Sequence, residues 1–137
     1  MLLDTNILVY SLTKGSPKKE VARKFILENK KNLVVAHQNV NEAIRLLTHP
    51  KTPKKISTKT AVKVVIKIIS KLRIATPKPE TFYLCINLLE KYNIKSNRVF
   101  DAYLVATMLT NGISEIATDN EKDFSAFKEI KVLNPFK

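Results

Sequence analysis

A single cysteine, Cys85, allows no internal disulfide and no cysteine-based zinc site, and it suits a reducing compartment such as the cytoplasm. Only 2 Gly and 6 Pro are present, too few for collagen-like or low-complexity chains. Long apolar runs are missing as well. None approaches the roughly 18 residues of a membrane span, and Asp4 interrupts the amino-terminal stretch where a secretory signal would be basic and then apolar. No membrane partner is expected. The two histidines, His37 and His49, do not form a spaced ligand pair, and neither a Gly-x-Gly-x-x-Gly nor a phosphate-binding loop occurs. These absences exclude zinc fingers and the nucleotide-cofactor versions of an α/β fold.

Acid is scarce too, with 12 Asp and Glu against 24 Lys and Arg, a net charge of +12. The excess is lopsided: residues 1–78 carry 17 basic and 4 acidic side chains, and residues 79–137 carry 7 and 8. A Lys-rich surface of no special purpose is one reading, but the asymmetry favours a polyanionic partner. With 137 residues, one domain spanning 1–137 around a single core is expected.

Short apolar runs alternate with longer amphipathic ones. Met1 to Leu3 reads as a buried strand that turns at Asp4 into a helix bearing Ile7, Leu8 and Leu12. Ser16-Pro17 opens a helix reaching about Lys31, with Val21, Ala22, Phe25 and Ile26 inward. Leu33 to Ala36 is a strand, and a helix with Val40, Ala43, Ile44 and Leu47 follows. After the Pro- and Lys-rich loop 49–55, a helix capped by Ser57 or Thr58 runs to about Leu72, with Lys59, Lys63, Lys67 and Lys71 every four residues. Ile74 to Thr76 is a third strand, and the helix after Pro79 is expected to bury Phe82, Cys85, Ile86, Leu89 and Tyr92. A helix over 98–111 stops at Asn111-Gly112, and strands follow at Ile113–Ala117 and Val132–Leu133. This alternation predicts an α/β fold with a central, mostly parallel β-sheet flanked by helices.

Ligands in such folds bind beyond the carboxyl ends of the strands, and the scarce acids fall there. Asp4 follows the first strand, Glu42 begins the helix after the second, Asp101 begins the helix before the fourth, and Asp119 ends the fourth. Each alone suits a capping role; Glu42, for instance, stands three residues after Asn39, the spacing of a capping box. Together they predict a pocket in which carboxylates repel unless a cation intervenes. Oxygen donors favour Mg²⁺ or Mn²⁺.

Four ordered stretches carry a resemblance. They are Leu2-Leu3-Asp4-Thr5-Asn6-Ile7-Leu8-Val9-Tyr10, the Asn41-Glu42 pair, Phe100-Asp101-Ala102-Tyr103-Leu104-Val105-Ala106-Thr107, and Ile116-Ala117-Thr118-Asp119-Asn120-Glu121-Lys122-Asp123-Phe124. In that order they resemble PIN-domain nucleases, and within that superfamily VapC-like toxins of type II toxin-antitoxin pairs. The resemblance implies a PIN-like sheet and a Mg²⁺- or Mn²⁺-dependent endoribonuclease acting on RNA in the cytoplasm. It also implies an antitoxin partner and a homodimer. By matched position, Asp4, Glu42 and Asp101 are the metal-binding and catalytic acids, and Asp119 is the fourth. Asp123 is the alternative to Asp119, or else holds the closing turn. Thr118 and Asn6 would orient water or a carboxylate. Lys54, Lys55, Lys59, Lys63 and Lys67 are candidate RNA contacts, with a solvated helix face as the other reading. A noncatalytic RNA-binding module and an RNA-processing nuclease without antitoxin are the competing functions.

Overall fold

The computed structural model describes all 137 residues. Strands β1 (Leu2–Leu3), β2 (Val34–Ala36), β3 (Arg73–Ala75), β4 (Glu115–Ala117) and β5 (Lys131–Leu133) form one sheet in the order β3-β2-β1-β4-β5. Every neighbouring pair is parallel, so the expected α/β class holds. Between them run α1 (Thr5–Leu12), α2 (Lys19–Asn29), α3 (His37–Thr48), α4 (Thr58–Ile69), α5 (Pro79–Lys91), α6 (Arg98–Thr110) and α7 (Glu121–Phe124). No helix is long and apolar enough to cross a membrane.

Because successive side chains in a strand point to opposite faces, the short strands feed two layers. Leu2, Val34, Ala36 and Ile116 pack with α5 and α6, whereas Leu3, Val35 and Ala117 pack with α1 to α4. Both faces are covered, which is why these strands read as apolar runs without alternation. The chain moves outward from β1 to β2 and β3, then crosses back to build β4 and β5 on the other side of β1. The order therefore reverses between β1 and β4, where the sheet opens a crevice at the strands' carboxyl ends.

Local signals account for most helix limits. The Ser57 hydroxyl accepts a hydrogen bond from Thr60 N at 3.2 Å and starts α4. Pro79 is the first residue of α5, and Gly112, with φ +69°, lets the chain leave α6 in a left-handed turn. Ser16-Pro17 departs from expectation, since it forms a turn and α2 begins at Lys19. Two helix faces also differ. In α2 only Ala22 is fully buried, and Val21 and Leu27 are exposed. In α5 the buried stripe is Thr81, Cys85 and Leu88, leaving Phe82 and Ile86 outside. That helix packs chiefly against α6, so its buried stripe is narrower than its apolar one.

Candidate active site

Asp4 stands at the carboxyl end of the central strand. Its backbone N–H donates to Ala117 O at 3.0 Å, which places Asp4 beside Thr118 across the β1/β4 crevice. Its carboxylate is held from three sides. Oδ1 accepts from Thr5 N at 2.7 Å as the cap of α1, and Oδ2 accepts from the Thr118 hydroxyl at 2.6 Å and the Asn6 amide at 2.9 Å. Thr118 and Asn6 therefore orient this carboxylate, and the Asn6 amide also reaches Thr118 Oγ1 at 3.1 Å. With only 8% of its surface exposed, Asp4 loses more to desolvation than these bonds return. Burial pushes its pKa up to about 6, against the Thr118 and Thr5 hydrogen bonds and with help from the charges of Glu42 and Asp123.

Glu42 projects from α3, and its Oε2 accepts from the Thr5 hydroxyl at 3.0 Å. The direction of that bond is set by Asn39, whose side chain is fully buried. Asn39 Oδ1 accepts from Ala36 N at 3.0 Å, so its NH₂ end faces Thr5 Oγ1 at 3.2 Å. Thr5 then has one proton, and Glu42 receives it. The capping-box reading of Asn39 and Glu42 is thus corrected: Asn39 is the residue reaching back to the helix start, and the Glu42 carboxylate is left for the crevice.

Asp101 lies in the first turn of α6. Desolvation raises its pKa to about 6, the charge of Asp123 adds to the rise, Arg98 opposes it, and Asp4 and Glu42 contribute further. Arg98 Nε stands 3.8 Å from Asp101 Oδ2, and Arg45 Nη2 stands 3.4 Å from Glu42 Oε1. Glu42, Asp101 and Asp123 line an open cleft of about 690 Å³ together with both arginines. Asp4 forms the floor of a smaller recess that shares Glu42 and Asp101.

Asp119, expected as the fourth converging acid, points elsewhere. Its Oδ2 takes Lys18 Nζ at 2.5 Å and the Tyr10 hydroxyl at 3.0 Å, and the Lys18 hydrogen bond leads the causes that hold its pKa below the usual carboxylate value. Lys18 also sits over the rings of Tyr10 and Phe136, which fixes the pair on the α1 side of the sheet. The following turn carries Asp123 to the cleft lining, where its Oδ2 accepts from the Asn120 amide and so also holds the closing turn. Lys54, Lys55, Lys59 and Lys63 are exposed away from the cleft lining, and Lys67 borders a separate groove between α2 and α4. The cations at the acids are Arg45 and Arg98. Their signal was available, each being three residues from an acid on one helix face.

As the side chains stand, no three acids are gathered tightly enough to enclose an ion. Their chemistry nonetheless fits a hard divalent cation. The donors are all oxygen, Asp4 is pre-oriented by hydrogen bonds, and Asp4 and Asp101 both carry pKa values raised by burial, with the charges of Glu42 and Asp123 adding to each.

Residues 1–130 match the family described as PIN domain. The chain belongs to the PIN domain family. Solved structures agree in fold. A toxin-antitoxin complex from Klebsiella pneumoniae is 19% identical, with TM-score 0.71 over 99% of this chain and 98% of that one. A DNA-bound VapBC from Salmonella typhimurium is 18% identical, with TM-score 0.73 and coverage of 98% and 96%. The sarcin-ricin loop cleaving toxin VapC20 from Mycobacterium tuberculosis is 15% identical, with TM-score 0.70 and coverage of 94% and 97%. Comparison with curated proteins gave no match. This PIN domain thus lines the crevice where its sheet order reverses with Asp4, Glu42, Asp101 and Asp123.

Proposed function

We propose that this PIN domain is a Mg²⁺- or Mn²⁺-dependent endoribonuclease and the toxin of a toxin-antitoxin pair. The observation that carries the reading is the convergence of Asp4, Glu42, Asp101 and Asp123 on one crevice flanked by Arg45 and Arg98, in a chain of net charge +12. The four acids would hold the cation; Asp123 replaces Asp119 in this set because Lys18 and Tyr10 already engage the Asp119 carboxylate. When bound, the cation supplies Lewis acidity toward the phosphodiester and its attacking water. Thr118 and Asn6 hold Asp4 in one orientation, and Thr5 does the same for Glu42. Arg45 and Arg98 can pair with flanking phosphates and so offset repulsion between the acids and the polyanion. Hydrolysis leaves a 5′-phosphate and a 3′-hydroxyl.

Two surfaces support the protein partners. Between α1, α2 and α4 a groove has Leu12, Ile26, Leu27, Ile68 and Leu72 in its lining. Arg23, Lys30, Lys67 and Lys71 border it, so it suits an amphipathic antitoxin segment bearing acids. The similar structure from Klebsiella pneumoniae is a toxin-antitoxin complex. On α5, exposed Phe82, Tyr83 and Ile86 support pairing of two copies of the chain.

Purified protein is expected to cut RNA with Mg²⁺ or Mn²⁺, to stop with EDTA, and to lose most activity as Asp4→Asn or Asp123→Asn. Asp119→Asn should keep most of it. Cleavage that persists in EDTA, or full activity in Asp4→Asn, would overturn the assignment.

A further inference from the structure

The turn after β4 carries two acids past the crevice and presents only one of them to it. Asp123 lines the cleft, and its place depends on how the segment from Asp119 to Phe124 is held. One end is anchored by burial, since Phe124 is packed into the core that α6 shares. In the middle, Arg98 Nη2 donates to Asp123 O at 2.5 Å, and the Asn120 amide donates to Asp123 Oδ2. The other end is Asp119. Its backbone N–H reaches Asn6 Oδ1 at 3.3 Å, and its carboxylate is taken by Tyr10 and Lys18.

Lys18 is itself held, which separates this pair from an ordinary surface ion pair. Two long exposed side chains gain little by meeting, because both must be ordered to do so. Here the Ser16-Pro17 turn sets the lysine backbone: Lys18 N donates to Ser16 Oγ at 3.3 Å and Lys19 N to Ser16 O at 3.2 Å. The ammonium stands 5.3 Å from the centre of the Tyr10 ring and 5.0 Å from that of Phe136, and the two rings meet edge to face at 5.6 Å. Phe136 N donates to Asn134 Oδ1 at 2.9 Å, and Lys137 Nζ lies 2.7 Å from Glu121 Oε1, so the segment after β5 closes over the same turn. Released from Lys18, Asp119 would be a fifth carboxylate beside Thr118, whose hydroxyl orients Asp4.

We propose that Lys18 is a positioning residue for the cation site: by holding Asp119 on the α1 side of the sheet, it fixes the following turn in the arrangement that presents Asp123 to the cleft. Tyr10 and Phe136 act through Lys18, by confining its ammonium. The proposal rests on the nuclease reading for the cation and deepens it by adding a residue that touches neither metal nor substrate.

The test measures Mn²⁺ affinity by calorimetry, and amide exchange across residues 118–125 in EDTA, on wild type, Lys18→Met, Lys18→Arg, Asp119→Ala, Asp123→Asn and the Lys18→Met/Asp123→Asn double variant. Lys18→Met keeps the stem beneath the rings and removes the charge. It should weaken Mn²⁺ binding about tenfold, the lower end for groups that orient metal ligands. It should also speed exchange at Asp123 and Ser125, whose N–H groups bond Asn120 O and Glu121 O. Lys18→Arg should stay near wild type. Asp119→Asn keeps an acceptor oxygen for both donors, so Asp119→Ala is the variant that should match Lys18→Met. In the double variant Lys18→Met should cost no further affinity, because the carboxylate it positions is gone. The sign of the effect separates position from charge, since a lysine acting only by its charge repels the cation and its removal would tighten Mn²⁺ binding. Tighter or unchanged binding in Lys18→Met, unaltered exchange in the turn, or a further loss in the double variant overturns the proposal and leaves the nuclease reading intact. If wild type binds no Mn²⁺ and cuts no RNA, the nuclease reading itself falls and the proposal with it.

Discussion

One proton on Thr5 separates a held carboxylate from a loose one. The buried Asn39 amide fills the acceptor side of the Thr5 oxygen, so the hydroxyl can donate only toward Glu42. Thr5→Val keeps the shape and removes the donor. Since a hydrogen bond to a charged group contributes about 1.5 kcal/mol at the low end, Mn²⁺ affinity by calorimetry should weaken roughly tenfold. Thr5→Ser should stay near wild type; equal affinity in the Val variant would show that Glu42 needs no such hold. At this scale the sequence was legible for where Asp4, Glu42 and Asp101 stand, because a strand end or a first helical turn fixes where a side chain starts. It was not legible for the choice between Asp119 and Asp123. Both follow β4 within one turn, and what separates them is Lys18, a hundred residues away in sequence and a hydrogen bond away in space.

Among the elements, helix type and most limits followed from caps, prolines and the glycine stop, whereas the start of α2 and the buried faces of α2 and α5 did not. An apolar stripe states that a face can be covered, and only packing decides whether it is. On α2 Leu27 is 66% exposed above the groove shared with α4. Leu27→Asp should therefore leave the melting temperature and RNA cleavage nearly unchanged, as exposed substitutions usually do. It should weaken inhibition by the antitoxin, through repulsion of an acidic segment and loss of an apolar contact. Inhibition titrations of the two proteins check this, and identical curves would move the antitoxin to another surface. The lysine row belongs to the same lesson. The spacing sets the lysines along α4, but Lys67 borders the groove and not the acids.

For the molecule as a whole, the acids set a dependence of stability on pH. Asp4 and Asp101 have folded pKa values of about 6 against 3.8 for the free side chain. Between those values the folded state binds protons that the unfolded chain does not, so metal-free stability is greatest at the acidic end of the window and falls as pH rises through about 6. In EDTA the melting temperature should be higher at pH 5 than at pH 7.5. Asp101→Asn should flatten that slope and melt no lower than wild type at pH 7.5, while losing most of the increment from Mn²⁺, about 2.7 kcal/mol at 100-fold excess over Kd. A variant that melts lower with the slope intact would make Asp101 a helix-dipole residue only. The parallel α/β class was legible from alternation of short and long runs, but the strand order was not, since it depends on which edge each crossover returns to. That order also fixes a sequence of events in time. The α1–α2–α4 groove is complete once Leu72 has been made, and the acid set is not complete until Asp123. At about 5 to 20 residues per second the ribosome needs roughly 2.5 to 10 s to cross that interval. If the groove seats the proposed antitoxin, that partner can meet it on the nascent chain before the acid set is finished.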